Sequence, residues 1–286
     1  MKSEKIKKTE KLATQNVKYP CFCNIGMSLE KYVSKTAFIR KSDADGFNNS
    51  FYTPANLKWF HIILNYNPSP AAPIVFLPCA SGAKTRKSSD GRKFISQSLS
   101  HQYMSAVTRN PAFEKIILSE PLTIIPYAME NSEHRPDYNL PPEDLSIQCE
   151  QTFIHQVCMF LMRLKLAQPD RMNIYYLGGA HHFFILHFAN KLAGTPFKII
   201  YNVPERGLVD YAKAAKEFVL TIQKAEKGEP IDLRPMSLEA HVKKRGRYTN
   251  LKFWRSILMS QKGEQSKVDV CSPTEFHNGF AYLYEF

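Results

Sequence analysis

The sequence contains no apolar run that approaches the roughly 20 residues of a membrane-spanning helix. Its N-terminal segment is rich in lysine and lacks the apolar stretch of a secretory signal peptide. We therefore expect a cytoplasmic protein without a membrane partner.

Cysteine is scarce, and its spacing argues against the common cysteine-based sites. The cysteines lie at positions 21, 23, 79, 149, 158 and 271, with no Cys-x-x-Cys pair among them. This pattern is typical of reduced thiols, so we expect no disulfide framework, no metal and no cofactor. The motifs GxxxxGK[ST], HExxH and GxSxG are also absent, which argues against a P-loop kinase, a zinc metalloprotease and an α/β hydrolase.

Acidic residues are in the minority. The chain of 286 residues carries 38 Lys and Arg against 26 Asp and Glu, a formal net charge of +12. A surface this basic favours a polyanion, and the simplest candidates are tRNA and DNA. A basic surface without a nucleic-acid partner is the alternative. Apolar residues make up 44% of the chain, enough for a sizeable core.

Strand-like and helix-like segments alternate from residue 74 onward. Short apolar runs predict strands at 74–77, 115–119, 173–177 and 197–201, and periodic apolar positions predict helices at about 99–109, 147–164, 180–193 and 208–224. At least four βα units in a row predict an α/β fold with a Rossmann-like parallel sheet and right-handed crossovers.

The segments on either side of this pattern differ in composition. Residues 1–68 are predicted to form a basic arm and a helical extension, with a helix beginning at Thr53-Pro54. Residues 69–226 form the predicted α/β core, within which the proline-rich stretch 120–143 is expected to be irregular. Residues 227–286 are predicted to be a basic linker and an aromatic tail that packs on the core.

The most informative stretch is 73–103, where the first strand meets a basic, hydroxyl-rich loop. Cys79 at the strand end could be a nucleophile if nearby cations lowered its pKa, or it could be a small structural cysteine. Ser96, Ser98 and Ser100 could bind an anion or could simply cap the following helix. His101 has the right chemistry for an acid or base.

A second strand-to-helix turn contains Gly178-Gly179 followed by His181 and His182. The glycines could let a ligand approach the backbone, and a tight turn is the alternative. Adjacent helical histidines are expected to point to different faces of the helix and so not to chelate a metal.

The stretch with Pro78-Cys79, Lys93 and Ser96-x-Ser98-x-Ser100-His101 resembles the core domain of archaeosine synthase, an amidinotransferase-like domain found in relatives of tRNA-guanine transglycosylase. That family has approximately Pro-Cys-Ser-x-x-Lys-Pro-Tyr-Ser-x-Ser-x-Ser-His. A second block, 118–126 followed by 136–138, is similar to the family's Ser-Pro-Leu-Gly-x-x-Pro turn with its Tyr-Asp pair. The resemblance covers roughly residues 70–220. This chain has a longer insertion after the cysteine, Thr123 where the family has glycine, and Asp137-Tyr138 in reversed order.

The resemblance implies an enzyme that transfers an amine or amino acid to a 7-deazaguanine-type base in tRNA or DNA. It implies catalytic roles for Cys79, Lys93 and His101. The candidate substrate-binding residues are Ser81, Lys84, Ser96, Ser98, Ser100, Ser119, Pro121, Tyr138, Gly178 and Gly179. We expect the loop 79–101 to border the largest polar pocket, facing 119–127 and 178–182. An α/β enzyme acting on a glycosidic bond and a non-catalytic nucleic-acid-binding protein are the alternatives.

Cations and aromatic residues are interleaved near the end of the chain. This arrangement suits pairing with phosphates and stacking on bases, and a solvated charged surface is the alternative. The candidate nucleic-acid-binding residues are Lys243, Lys244, Arg245, Arg247 and Trp254.

Overall fold

The protein is a mixed α/β structure. The computed structural model describes residues 51, 54–79, 85–87, 93–95, 99–127, 147–204 and 207–240. The helices are α1 (Pro54–Leu64), α2 (Leu99–Tyr103), α3 (Ser105–Thr108), α4 (Ile147–Ala167), α5 (Ala180–Leu192) and α6 (Gly207–Glu226). The strands are β1 (Ile74–Pro78), β2 (Thr85–Lys87), β3 (Lys93–Ile95), β4 (Glu114–Ser119), β5 (Thr123–Pro126), β6 (Asn173–Leu177) and β7 (Lys198–Asn202).

A mostly parallel five-stranded sheet has the order β5-β4-β1-β6-β7. The pairs β1–β4, β1–β6 and β6–β7 are parallel, whereas β5 pairs antiparallel with β4. The short strands β2 and β3 form a separate antiparallel pair. The predicted α/β class and its four parallel strands are confirmed.

Strand β1 is the central strand, and its sequence explains why. Every residue of Ile74–Pro78 is buried, as expected of a parallel strand that is covered on both faces. Pro78 ends the strand because it has no N–H for the ladder. The next backbone N–H along the chain belongs to Cys79, and it donates to the Leu118 carbonyl at 2.7 Å.

The helices form two groups around the sheet. One group contains α1, α4 and α5, and the other contains α2, α3 and α6. The chain crosses from β1 to β4 in one direction through the second group, and from β4 to β6 in the opposite direction through the first. The two connections run in opposite directions and cover opposite faces of the sheet, so both crossovers have the same hand. This agrees with the fixed handedness of βαβ units. None of the helices that the structure describes combines the length and the apolar composition of a membrane-spanning segment.

The first described helix belongs to the core. Its Trp59, Phe60 and Ile63 side chains are all buried, and α1 packs against α4 and β5. Pro54 is its first residue, as the sequence predicted.

Two predictions about secondary structure are wrong. The stretch 120–143 was expected to be irregular, but Thr123–Pro126 forms the edge strand β5, where a terminal proline is tolerated because it faces no further strand. The single helix expected at 99–109 is two short helices, α2 and α3. They are separated by Met104, whose ψ of 20° departs from helical geometry.

Candidate functional site

The carboxyl ends of β1, β4 and β6 lie side by side at one edge of the sheet. The chain leaves β1 toward β4 on one side and leaves β6 toward β7 on the other, so the direction of the connections reverses between β1 and β6. Such a switch point leaves a crevice where α/β proteins bind ligands. The residues that follow the three strands are Cys79, Glu120 and Gly178 with Gly179.

The end of β1 is held by His101. This histidine is fully buried, and its Nε2 lies 3.0 Å from the Pro78 carbonyl oxygen, to which it donates. The ring also packs on Tyr127, with centroids 5.5 Å apart. His101 therefore fixes the peptide that leads directly into Cys79, which is partly exposed.

A buried cluster joins the end of β4 to the start of α5. The Nε2 atom of His181 lies 3.3 Å from Glu120 Oε1, and the Nε2 atom of His182 lies 3.1 Å from the same oxygen and 3.3 Å from Oε2. The two imidazole centroids are 5.0 Å apart, with the rings nearly perpendicular. Glu120, His181 and His182 are 1%, 3% and 6% exposed, so water does not solvate this carboxylate.

The histidines determine the ionisation of this carboxyl group. Burial alone would raise the pKa of Glu120, because a low dielectric disfavours the charged form. The charge of His182 and the hydrogen bonds from His181 and His182 outweigh burial and hold the pKa of Glu120 well below its usual range. Glu120 is therefore an ionised carboxylate inside the protein.

A second buried carboxylate lies on the other side of His181. Glu150, in the first turn of α4, is fully buried, and its Oε1 is 3.9 Å from His181 Nδ1. The His181 ring is thus placed between two acidic side chains, one facing each of its nitrogens.

The backbone after β4 is anchored from α1 and α4. The indole Nε1 of Trp59 donates to the carbonyls of Leu122 and Ile124, at 2.9 and 3.1 Å. The hydroxyl of Thr123 donates to Gln156 Oε1 on α4. These bonds fix the turn that carries Glu120.

The turn after β6 requires glycine at one position. A Cβ on Gly178 would lie 2.4 Å from Pro78 Cδ and 2.9 Å from the Tyr176 hydroxyl. Gly179, the N-cap of α5, has no comparable contact. The missing side chain at Gly178 therefore lets the start of α5 approach the end of β1.

The structure brings some of the sequence-predicted residues to this edge and leaves others elsewhere or undescribed. Cys79, His101, Ser119, Pro121, Gly178 and Gly179 lie at or beside the carboxyl ends of the strands. Ser100 is in α2, and Lys93 opens β3 in the separate two-stranded pair. Candidates that lie outside the described residues are Ser81, Lys84, Ser96, Ser98, Tyr138, Lys243, Lys244, Arg245, Arg247 and Trp254.

Sequence reasoning missed Glu120 and Glu150, and it was wrong about the histidines. His181 and His182 were expected to diverge around the helix, yet both Nε2 atoms reach one carboxylate. The side chains of consecutive helical residues point about 100° apart around the helix axis. In the first turn, however, two long imidazole side chains can still reach the same atom beyond the end of the helix. Glu120 lies between Ser119 and Pro121, which the resemblance indicated as substrate-binding residues. Its position in the sequence could therefore have identified it as a site residue.

Comparison of the chain with protein-family models, with curated proteins and with solved structures finds no match. The function must therefore be argued from the chemistry of the site.

Proposed function

We propose that the protein is an enzyme that adds an amine to a 7-deazaguanine-type base in tRNA or DNA. The observation that carries the proposal is the convergence of chemically suited groups at the switch point of the sheet. A thiol follows β1, and a carboxylate with two histidines bridges β4 and α5. Both lie at the carboxyl ends of the strands, where α/β folds bind ligands.

The reaction is addition to a nitrile on the base. The amine adds its N–H across the C≡N bond, so that the carbon gains an amine substituent, the nitrile nitrogen gains the proton, and the product is an amidine. No atom leaves and no electron is lost. Cys79 would activate the nitrile carbon, and the buried histidine–carboxylate cluster would supply groups that hold or move the proton.

Two features of the described residues support the resemblance on which this chemistry depends. His101 contacts the carbonyl of Pro78, so the two ends of the Pro-Cys…Ser-His motif meet although Cys79 and His101 are 22 positions apart. Thr123 has a φ of 65°, in the left-handed region that glycine adopts without strain. Thr123 occupies the position where the resembled family has glycine.

The test is to incubate the purified protein with an amine such as lysine and with tRNA or DNA that contains 7-cyano-7-deazaguanine. Nucleosides from the digested product are then weighed by mass spectrometry. We expect a gain equal to the full mass of the amine, because addition loses no atom. Cys79→Ser should abolish the gain, whereas Cys158→Ser, at a buried thiol on α4, should keep it.

Release of a free base would instead support the glycosidic-bond alternative. Binding of nucleic acid without any change of mass would support the non-catalytic alternative. Either result would overturn the proposed transfer.

The finer architecture is also a proposal: a Rossmann-like core with an N-terminal helical extension and a basic C-terminal appendage that contacts nucleic acid. Each phosphate contact contributes about 0.7–0.9 to the slope of log affinity against log salt. Replacing the cations Lys243, Lys244, Arg245 and Arg247 together by Ala should therefore flatten that slope by roughly three. Fluorescence anisotropy over a salt series measures this slope. An unchanged slope would show that these residues do not contact the nucleic acid.

A further inference from the structure

We infer that Glu120, His181 and His182 form a binding site for a divalent first-row transition metal, with Glu150 orienting His181. Two imidazoles and a carboxylate are ligands that Zn²⁺ and its neighbours in the series accept. The site uses the same cluster to which the proposed function assigns the proton, but the inference rests on the geometry of the ligands and its test does not involve that reaction.

The spacing of the donor atoms fits a metal. The three candidate ligand atoms all lie within 4.8 Å of one another, and the two N–O separations to Glu120 Oε1 are 3.3 and 3.1 Å. Donors about 2.1 Å from a tetrahedral Zn²⁺ are separated from one another by roughly 3.4 Å. An ion can therefore enter between these atoms with small shifts of the side chains.

The surroundings of His181 favour a metal over neutral histidines alone. If Nε2 carried the hydrogen and donated it to Glu120, the lone pair on Nδ1 would face the carboxylate of Glu150, 3.9 Å away. If Nε2 binds a metal, Nδ1 carries the hydrogen and presents it to Glu150. Metal-bound histidines commonly direct their other ring nitrogen to a carboxylate in this way.

Burial gives a second reason. The two carboxylates and the two imidazoles are all buried. Buried charged groups in proteins are paired or coordinate metals, and a divalent cation would serve that role here. The alternative is a cluster held by hydrogen bonds alone, without any metal, and the experiment must separate the two.

The first measurement uses the full chain stripped of metal by a chelator and then dialysed. Zn²⁺, Co²⁺ and Mg²⁺ are titrated separately by calorimetry, and Co²⁺ binding is also followed by its visible absorption. We expect about one equivalent of Zn²⁺ and of Co²⁺ with nitrogen ligation, and no comparable binding of Mg²⁺, which prefers oxygen ligands. Zn²⁺ should also raise the melting temperature, because it binds the folded state.

Variants locate the site. Glu120→Gln, His181→Gln and His182→Gln should each lose the bound equivalent. His187→Gln, at an exposed histidine on the same helix, should keep it. Glu150→Gln should retain the stoichiometry but weaken affinity by about 10- to 100-fold, as loss of a ligand-orienting carboxylate does. Far-ultraviolet circular dichroism checks that each variant is folded.

Failure of the wild-type protein to bind Zn²⁺ or Co²⁺ would overturn the inference and leave a histidine–carboxylate cluster held by hydrogen bonds alone. Retention of the bound equivalent in the Glu120, His181 and His182 variants would also overturn it, because the metal would then lie elsewhere. If a variant does not fold, the wild-type titration still decides. None of these measurements uses the base-modification reaction, so its failure and the failure of the metal site are distinguishable.

Discussion

Substitution of Gly178 by Ala is expected to destabilise the protein more than any comparable change at the switch point. The new Cβ would lie 2.4 Å from Pro78 Cδ and 2.6 Å from Pro78 Cγ. Ordinary contacts between carbon atoms are about 3.5–4.0 Å, so the segments must separate by roughly 1 Å. Pro78 cannot yield by changing rotamer, because its ring is fixed to the backbone at the end of the central strand.

The magnitude follows from two contributions. Overpacking of a rigid site costs about 1–3 kcal/mol. The φ of Gly178 is 157°, a value that residues with a side chain rarely adopt, which adds about 1–3 kcal/mol. The total, about 2–6 kcal/mol, is a large share of the 5–15 kcal/mol typical of a folded domain.

Urea unfolding measures this loss. With an m-value of about 2 kcal/mol per M, the midpoint of Gly178→Ala should fall by at least about 1 M. Gly179→Ala is the matched control, since its Cβ would meet only the Tyr211 hydroxyl, at 3.8 Å. Gly194→Ala isolates the cost of positive φ, because its φ is 80° and no atom lies within 4 Å of the new Cβ.

Gly179→Ala should cost about 1 kcal/mol or less, and Gly194→Ala should cost only about 1–3 kcal/mol, the cost of its positive φ. A Gly178→Ala midpoint equal to that of Gly179→Ala would refute the close approach between the turn after β6 and the end of β1. A Gly194→Ala cost equal to that of Gly178→Ala would mean that the dihedral angle, and not the contact with Pro78, sets the requirement for glycine.

Two further predictions concern titratable groups whose pKa values are shifted by burial. Burial lowers the pKa of His155 to about 4 from its ordinary 6.5, so the unfolded state binds the proton more readily between these values. Stability should therefore fall as pH drops from about 6.5 to 4, by up to about 3 kcal/mol, and His155→Phe should flatten this part of a urea-midpoint profile. Burial raises the pKa of Cys158 to about 11, whereas Cys79 is partly exposed. Alkylation of the native protein followed by peptide mapping should therefore modify Cys79 well before Cys158, and equal rates would contradict the burial of Cys158.

The regular elements with strong periodicity could be predicted from the sequence. The strand predicted at 173–177 is observed as Asn173–Leu177, and the helix predicted from 180 begins at Ala180. These segments combine an unbroken apolar pattern with clear turn residues at their ends. The edge strand β5 was missed because Pro121 and Pro126 indicated a loop, and antiparallel pairing with β4 depends on tertiary contacts that a local pattern does not contain.

The site could be predicted only as far as its loops. The predicted strand ends place Cys79 and Gly178 in the site, because the carboxyl ends of parallel strands lie at the same edge of the sheet. The partner of His181 is 61 residues away in sequence, and spacing within a helix carries no information about it. The proposed ligand set, two adjacent histidines and one distant carboxylate, therefore has no local signature, and the sequence pattern did not indicate it.

The central position of β1 explains why these separate features meet. The strand pairs with β4 on one side and β6 on the other, so residues that follow all three strands share one edge. Gly178 permits contact with Pro78, His101 holds the Pro78 carbonyl, and Glu120 reaches across to the start of α5. Gly178 and the two histidines share the turn at the start of α5. The substitution Gly178→Ala should therefore shift the start of α5 relative to β1, and the carboxylate and the imidazoles should lose the spacing that the proposed metal requires.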